Sequence, residues 1–286
     1  MSTASRRQSM FSLIRAQEFV SVQALADRFG VSVVTVRSDL DRLAADGLVR
    51  RVRGGAMIAA QEDRELSFEV RLGSYPKEKA AVGAAAAELV EPGSAVILDG
   101  GSTCMAVATA LAARPELDEV TVYTPALNIA LALEAAAPRI TVVVTGGTVH
   151  PKQHSLGGPY SELILERVIA AVGFIGCNGV SAHDGISAAT PSDARIKRRI
   201  MASAKYSVAV TDASKFLKYG TARVCDVDEV DLILTSADLD PELLASVAAG
   251  GGVVRMAEEI GAGDGVGGRR SVRREGVQSK SGGSPN

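Results

Sequence analysis

Short apolar segments alternate with helix-forming segments between residues 78 and 258, and this alternation most constrains the fold. The apolar segments are rich in Val and Ile and apolar on both faces, which is typical of strands inside a parallel sheet. They are AVILD (95–99), VTVYT (120–124), ITVVVT (140–145), AVGFIG (171–176), YSVAVTD (206–212) and VDLILT (230–235). The helix-forming segments are EKAAVGAAAAELV, CMAVATALAA, ALNIALALEAAA, SELILERVI and SDARIKRRIMASA. Such alternation predicts an α/β domain with helices on both faces of the sheet.

The first 58 residues follow a different pattern, which predicts a helix-turn-helix. Ser21 can cap a helix over VQALADRF, and Gly30 can end that helix in the left-handed conformation. Ser32 can cap a second helix, VVTVRSDLDRLAAD, whose positions 33, 36, 40 and 43 form one apolar stripe. Two helices joined by a tight glycine turn are the arrangement of a helix-turn-helix.

This N-terminal module is basic, although the whole chain has a formal net charge of -2. Between Arg6 and Arg53 there are nine arginines and five acidic residues, a surplus of four positive charges. A basic module joined to an acidic remainder is typical of a nucleic-acid-binding domain attached to a second domain. The module ends in LVRRVRGGAM (48–57), where arginines alternate with Val49 and Val52 and precede two glycines. The pattern leaves open a linker, a phosphate-binding loop for a small ligand and a hairpin that lies on nucleic acid. The alternation of valines with arginines favours a short strand over a linker, and the glycines suit a hairpin turn.

The second helix would present small and polar side chains on its outward face. Small apolar and hydroxyl groups near a helix N-terminus fit base edges in the major groove, and arginine can bind phosphate or guanine. An ordinary solvated helix face remains the alternative for these residues taken alone. The predicted DNA-binding residues are Ser32, Val34, Thr35, Arg37, Ser38, Arg42, Arg50, Arg51 and Arg53.

Two segments lack the composition of a folded core. Residues 59–77 are mostly polar and predict a linker, and the alternation of apolar residues at 66, 68, 70 and 72 predicts a short extended segment at its end. Residues 259–286 are rich in Gly, Ser and Arg and predict a disordered tail. The predicted domains are therefore 1–58 and 78–258.

Polar and glycine-rich loops follow the predicted strands. In open α/β sheets, ligands bind beyond the carboxyl ends of the strands, so these loops would share one edge and form a polar pocket. The loop DGGST (99–103) opens a helix, and its backbone N–H groups could hold a phosphate. For any single loop a tight turn without a ligand is the alternative. The other loops are TGGT (145–148) with His150 and Lys152, CNG (177–179), Asp184 with Gly185, and ASKF (213–216).

Other functional classes receive no support from the sequence. Cys104, Cys177 and Cys225 form no CxxC pair, so we predict buried free thiols, no metal site and no cofactor. The N-terminus has no signal-peptide pattern, and no apolar run reaches the ~18–20 residues of a membrane span. We therefore expect a cytoplasmic protein that does not enter a membrane.

The N-terminal module resembles the winged helix-turn-helix of DeoR-type bacterial transcriptional regulators. The resemblance lies in VSVQALADRFGVSVVTVRSDLDRL and in GLVRRVRGGA. It implies two short wing strands, 48–52 and 56–58, with the turn at Arg53-Gly54-Gly55. The family often has a second basic residue where Ser38 stands and a histidine where Arg53 stands.

Residues 78 to about 235 resemble the effector domain of the same family, through VVVTGGTVHP, LGGPYSE, FIGCNGVSAHDGIS and VTDASKF among others. The resemblance implies a fold related to ribose-5-phosphate isomerases and coenzyme A transferases, and a sensor of phosphorylated sugars. It implies a phosphate end formed by Asp99, Gly101, Ser102 and Thr103. It implies a sugar end formed by Gly147, Lys152, Asn178, Asp184 and Lys215. Lys152 stands where the family usually has arginine.

Together these features predict a transcriptional regulator, a repressor of sugar or polyol genes. We expect it to bind double-stranded operator DNA under control of a phosphorylated sugar, as a homo-oligomer that is at least a dimer. The alternative is a sugar-phosphate isomerase fused to a DNA-binding module. Isomerisation needs a base that moves a proton between carbons, usually a positioned carboxylate, and Cys177 and Asn178 stand where related isomerases have acidic residues. We therefore predict a non-enzyme with no catalytic residue.

Overall fold

A computed structural model describes residues 3–17, 19–45, 48–58 and 66–257. The predicted tail (259–286) and the first part of the predicted linker (59–65) lie outside the described residues.

The N-terminal module contains the predicted helix-turn-helix. Ser21 caps the second helix by accepting a hydrogen bond from the Ala24 N–H at 3.1 Å, and Gly30 ends it with φ 63°. Ser32 caps the third helix by accepting from the Thr35 N–H at 3.1 Å. The elements are α1 (Thr3–Gln17), β1 (Phe19–Ser21), α2 (Val22–Phe29), α3 (Val33–Ala45), β2 (Val49–Val52) and β3 (Gly55–Ile58).

The wing is a three-stranded sheet in the order β1-β3-β2. Strands β2 and β3 pair antiparallel with Val52 opposite Gly55, so Arg53 and Gly54 form the turn. Gly54 has φ 82°, a conformation that glycine adopts without a Cβ clash. Gly55 is required for a different reason, since a Cβ there would lie 2.4 Å from the Val20 carbonyl oxygen. The two glycines thus let the wing close over β1.

The core of this module is apolar, but it contains one buried acid. Met10, Ile14, Leu25 and Leu40 are fully buried between the three helices. Asp39 is also buried, and it accepts hydrogen bonds from Arg6 Nε at 2.7 Å and Arg7 Nε at 2.9 Å. Two of the arginines that make the module basic by count therefore neutralise a buried carboxylate.

The predicted extended segment at the end of the linker was wrong, because Phe68–Leu72 forms a short helix, α4. Phe68 is its buried residue, and Val70 and Leu72 are exposed. Residues that follow the helix stabilise it, because its carbonyl groups accept hydrogen bonds from the Ser74 hydroxyl and from Lys79 Nζ. The alternation of apolar residues in 66–72 gives no sign of these contacts with Ser74 and Lys79, so the helix could not be predicted from it.

The following domain is built on a seven-stranded sheet in the described part of the chain, in the order β15-β14-β12-β9-β4-β5-β6. All neighbouring strands pair in parallel. Its strands are β4 (Ala95–Leu98), β5 (Val120–Thr124), β6 (Ile140–Val144), β9 (Val172–Ile175), β12 (Ser207–Val210), β14 (Leu232–Ser236) and β15 (Val254–Ala257). The six predicted strands are confirmed, and β15 was not predicted.

Helices cover both faces of this sheet, as predicted. In β4, Val96 and Leu98 enter one apolar core, whereas Ile97 enters the core on the other face. The helices are α5 (Pro76–Ala87), α6 (Ser102–Ala112), α7 (Leu127–Glu134), α8 (Pro159–Leu165), α9 (Pro191–Ala202) and α10 (Pro241–Ala249). The last of these was not predicted. Among the described residues, no helix is both long enough and apolar enough to span a bilayer.

Smaller elements lie at the edge where the parallel strands end. Strand β7 (Thr148–His150) pairs with β8 (Ser155–Gly157), and a short 3-10 helix covers Pro151–Gln153. Another sheet has the order β10-β11-β13. Its strands are β10 (Gly179–Ser181), β11 (Gly185–Ala188) and β13 (Ala222–Cys225). These pairings were not predicted from the sequence.

Candidate functional site

A cavity of about 310 Å³ lies beyond the carboxyl ends of the central strands. Asp99 follows β4, the Gly176–Asn178 loop follows β9, and Lys215 lies in the 3-10 helix Ala213–Leu217 after β12. Strands β4 and β9 are neighbours, but the chain proceeds from β4 through β5 and β6 in one direction and from β9 to β15 in the other. The cavity therefore lies at the point where strand order reverses, which is where open α/β sheets bind ligands.

Six of the nine predicted effector residues line this cavity. They are Asp99, Gly101, Ser102, Thr103, Asn178 and Lys215. They come from three separate segments, 99–103, 178 and 215, which the shared edge of the parallel sheet brings together, as the sequence predicts.

Three of the predicted residues do not line it. Lys152 is exposed on the 3-10 helix Pro151–Gln153, although His150 and Gln153 beside it reach the cavity. Asp184 is exposed at the β10–β11 turn, 3.0 Å from His183 Nδ1. Gly147 has φ 124° and packs against Gly157. A Cβ added to Gly147 would lie 2.4 Å from the Gly157 carbonyl oxygen. The close approach accounts for this glycine without a ligand.

Two helices begin at the cavity. Helix α6 starts at Ser102 after Gly101, whose φ of 110° lets the chain turn from β4 into the helix. Helix α9 starts at Pro191, and the Thr190 hydroxyl caps it by accepting from the Asp193 N–H at 3.1 Å. The free N–H groups and the dipole at a helix N-terminus favour an anion. Two such ends facing one cavity reinforce each other.

A buried ion pair forms the floor of the cavity. Lys197 Nζ, from α9, binds Asp99 Oδ2 and lies 3.2 Å from Asp193 Oδ1. The same Asp99 oxygen accepts from the Gly176 N–H at 3.0 Å, which ties the β4 loop to the β9 loop. Burial alone would lower the pKa of Lys197, but the two carboxylates outweigh burial and raise the pKa, so Lys197 stays charged. Asp99 is thus held by protein donors.

Further positive charge surrounds the cavity. Arg71 of α4 and Lys215 both line it. Lys79, at the start of α5, is buried nearby, and burial lowers its pKa to about 8. Burial would raise the pKa of Asp212, but Lys215 and the Ser214 hydroxyl outweigh burial and hold that pKa below its ordinary value. A region with this charge balance attracts an anion.

Several lining residues were missed from the sequence, among them Arg71, Thr190, Ser192 and Lys197. The run TPSD at 190–193 carries an N-cap residue, a proline at the first helical position and an acid in the first turn, and it could have been recognised as a helix start. Nothing local marks Arg71, which lay in the predicted linker. Lys197 was hidden inside an amphipathic helix, 98 residues from Asp99.

The predicted DNA-binding face is partly exposed. In α3, Val34 is 75% exposed, and Arg37 and Ser38 are exposed beside it. The Ser32 hydroxyl lies 2.9 Å from the Thr35 hydroxyl, so both belong to the helix cap. These residues form the exposed N-terminal part of α3, the second helix of the helix-turn-helix, where such a motif contacts bases.

The arginines of the wing differ from one another. Arg51 binds the Asp41 carboxylate and donates to the Arg37 carbonyl at 3.1 Å, so it links the wing to α3. Arg50 and Arg53 are exposed. Arg42, in the last turn of α3, lies over the Tyr75 ring at 4.8 Å from its centroid.

The described residues show no grouping of three or more His, Cys, Asp or Glu side chains able to hold a metal ion. Cys104 and Cys225 are buried and Cys177 is partly buried, and none forms a disulfide. Burial raises the pKa of the Cys104 thiol well above its ordinary value, which makes it a poor nucleophile.

Comparison with known proteins identifies the family. Residues 74–237 match the DeoR C terminal sensor domain, and residues 6–62 match the DeoR-like helix-turn-helix domain. A putative aga operon transcriptional repressor of Escherichia coli O157:H7 is 31% identical over 251 residues, covering 87% of this chain and 92% of that protein. An uncharacterized HTH-type transcriptional regulator of Bacillus subtilis (strain 168), YulB, is 30% identical over 249 residues, covering 87% of this chain and 93% of that protein.

Among solved structures, ribose 5-phosphate isomerase A from Methanocaldococcus jannaschii matches with a TM-score of 0.36 and 18% identity, covering 48% of this chain and 52% of that chain. The helix-turn-helix and the sensor domain both match family descriptions, and together they span most of the chain. The chain therefore belongs to the DeoR family of DNA-binding transcriptional regulators.

Proposed function

We propose that the protein is a cytoplasmic repressor whose binding to operator DNA is controlled by a phosphorylated sugar or polyol in the cavity. The observation that carries this proposal is the cavity at the strand-order reversal, where two helices begin and two cationic side chains, Arg71 and Lys215, reach the wall. Its volume of about 310 Å³ is at the small end of ligand pockets, which suits a compact metabolite.

The phosphate would occupy the start of α6. Ser102 and Thr103 supply hydroxyl donors there, and the backbone N–H groups of the first turn are directed at the same space. Asn178 can donate to or accept from a sugar hydroxyl. Asp99 would act through Lys197 and Gly176, by fixing the loops, because its carboxylate would repel a phosphate.

The cavity supports binding better than isomerisation. Sugar-phosphate isomerisation needs a base, usually a positioned carboxylate, that takes a proton from carbon. The carboxylates at the cavity wall, Asp99 and Asp193, are both ion-paired with the Lys197 ammonium group, so both are engaged by a protein cation. Cys177 and Asn178 are neutral at the position after β9. We therefore propose a sensor without turnover.

The protein would act as at least a dimer. One short recognition helix contacts only a few base pairs, and two half-sites multiply the specificity. The relative named as an aga operon transcriptional repressor supports repression as the mode of action.

The test measures binding of a fluorescent DNA fragment from upstream of the gene, with and without ribose 5-phosphate, fructose 6-phosphate and glucose 6-phosphate. We expect nanomolar to sub-micromolar binding that at least one sugar phosphate weakens. Failure to bind any upstream fragment would refute DNA control, and indifference to every phosphate would refute the sensor. Incubation of the same compounds followed by NMR tests the alternative, because interconversion would reveal an isomerase.

A further inference from the structure

We propose that Arg71, in the connector between the two modules, binds the effector's anionic group and couples occupancy of the cavity to Arg42 of the recognition helix through Tyr75. This inference rests on the proposed function, because it assumes that the cavity receives an anion. Arg71 lies outside both family-matched segments, 6–62 and 74–237.

Arg71 belongs to α4, the short helix that precedes the sensor domain, yet its side chain lines the cavity. It shares the cavity wall with Lys215 and with the start of α6. A guanidinium group can donate two parallel hydrogen bonds to a phosphate, which a lysine cannot do. The connector thus supplies a guanidinium group to a wall where the sensor domain contributes hydroxyl groups, backbone N–H groups and Lys215.

The backbone from Arg71 to Lys79 forms one connected unit. Lys79 Nζ donates to the carbonyl oxygens of both Arg71 and Ser74, and Lys79 is only 4% exposed. Tyr75 lies inside this unit with φ 53°, immediately before α5. A non-glycine residue in that conformation is held by its surroundings. A shift of Arg71 toward a ligand would therefore be transmitted to Tyr75.

Tyr75 contacts the DNA-binding module directly. Its ring lies under the Arg42 guanidinium at 4.8 Å from the centroid. Arg42 lies in the last turn of α3 and is half-buried. A cation over an aromatic ring at this distance is attracted to the negative face of the ring. The contact therefore holds Arg42, a candidate DNA-binding residue, against Tyr75, which lies four positions after the cavity-lining Arg71.

A second link has the same form and supports the coupling. Lys215 lines the cavity, and Tyr219, four residues later, stacks on Phe11 of α1 with ring centroids 5.1 Å apart. Gly179 packs against the backbone of Lys218 and Tyr219, where a Cβ would lie 2.1 Å from the Lys218 oxygen. In both of these contacts with the helix-turn-helix, the tyrosine lies four positions after a cationic residue that lines the cavity.

The experiment compares wild type with Arg71→Ala, Arg71→Lys and Tyr75→Leu in the full chain. Binding of ribose 5-phosphate, fructose 6-phosphate, glucose 6-phosphate and inorganic phosphate is measured by calorimetry. DNA affinity is measured by fluorescence anisotropy with and without each compound. Arg167→Ala and Tyr160→Leu are matched controls, because both side chains are exposed and neither lines the cavity.

We expect Arg71→Ala to weaken phosphate-compound binding at least tenfold, consistent with loss of a charge-assisted hydrogen bond. Arg71→Lys should recover part of that loss, because it keeps the charge without the planar fork. Tyr75→Leu should bind the compounds within twofold of wild type, yet lose most of the effect of the compound on DNA affinity. Both controls should behave as wild type.

Each failure has a distinct meaning. If wild type binds none of the four compounds, the proposed sensor function fails and this inference falls with it. If wild type binds but Arg71→Ala binds equally well, Arg71 is not a ligand residue. If Tyr75→Leu keeps the full response of DNA affinity, the coupling through Arg42 is wrong.

Discussion

Replacement of Lys197 by methionine tests whether the floor of the cavity depends on the buried ion pair. Lys197 and Asp99 are 4% and 3% exposed, and Lys197 Nζ binds the Asp99 carboxylate. In Lys197→Met the carboxylate would remain buried with the Gly176 N–H at 3.0 Å as its remaining donor among these contacts. Removing one member of a buried ion pair typically destabilises a protein by about 3–5 kcal/mol. We expect a loss in this range near pH 8.

The loss should depend on pH, and the sign follows from Asp99. In the variant the unpaired buried carboxyl would have a folded-state pKa raised above its unfolded value, because burial penalises its charge. A raised folded pKa favours the folded state at low pH and loses that contribution as the pH rises through it. The difference in unfolding free energy between wild type and Lys197→Met should therefore grow from pH 5 to pH 8.

The assay is urea denaturation followed by circular dichroism at several pH values. Lys205→Met is the matched control, since Lys205 is exposed and its replacement should change stability by less than about 0.5 kcal/mol. The double variant Lys197→Met with Asp99→Asn should recover part of the loss, because both charges are then absent. A loss below about 1 kcal/mol without pH dependence would refute the reasoning, since Asp99 would then be solvated.

Three further expectations concern single residues. Arg53→Ala should weaken binding to all DNA sequences alike and reduce the slope of log affinity against log salt by about 1, as measured by anisotropy titrations; an unchanged slope would contradict a phosphate contact. Ser32→Ala should cost about 1 kcal/mol of unfolding free energy, because α3 loses its N-cap, and an equally stable variant would contradict this. Burial lowers the pKa of Lys79 from 10.5 to about 8, so the unfolded chain binds more protons in this interval, and wild type should gain stability relative to Lys79→Met as the pH rises from 8 to 10.5. A difference in unfolding free energy between wild type and Lys79→Met that stays constant with pH in urea titrations would contradict the lowered pKa of Lys79.

The parts predicted well from the sequence were those fixed by local chemistry. The ends of the helices in the helix-turn-helix lie at Ser21, Gly30 and Ser32, as predicted, because cap and turn residues act within three or four positions. The doubly apolar strands were recognisable because burial on both faces excludes polar residues from them. Placement of Asp99, Asn178 and Lys215 at one cavity followed from the parallel sheet alone.

The parts that were missed depend on contacts between distant residues. Phe68–Leu72 was predicted as extended, but Lys79 and the packing of Phe68 make it a helix. The apolar alternation there was misleading, because Phe68 is buried whereas Val70 and Leu72 are exposed. A five-residue helix has too few turns to show its own period. Consequently the connector, and with it Arg71, was excluded from the predicted site.

In the N-terminal module, the number of positive charges must be distinguished from the number of arginines that contact phosphate. A surplus of positive charge predicts attraction to DNA at long range, but it does not say which arginines reach phosphate. Arg6 and Arg7 bind the buried Asp39, and Arg51 binds Asp41. Each of these ion pairs offsets arginine charge that would otherwise attract phosphate. The salt dependence of DNA binding should therefore be set by exposed residues such as Arg53, and it should be weaker than nine arginines per subunit would produce.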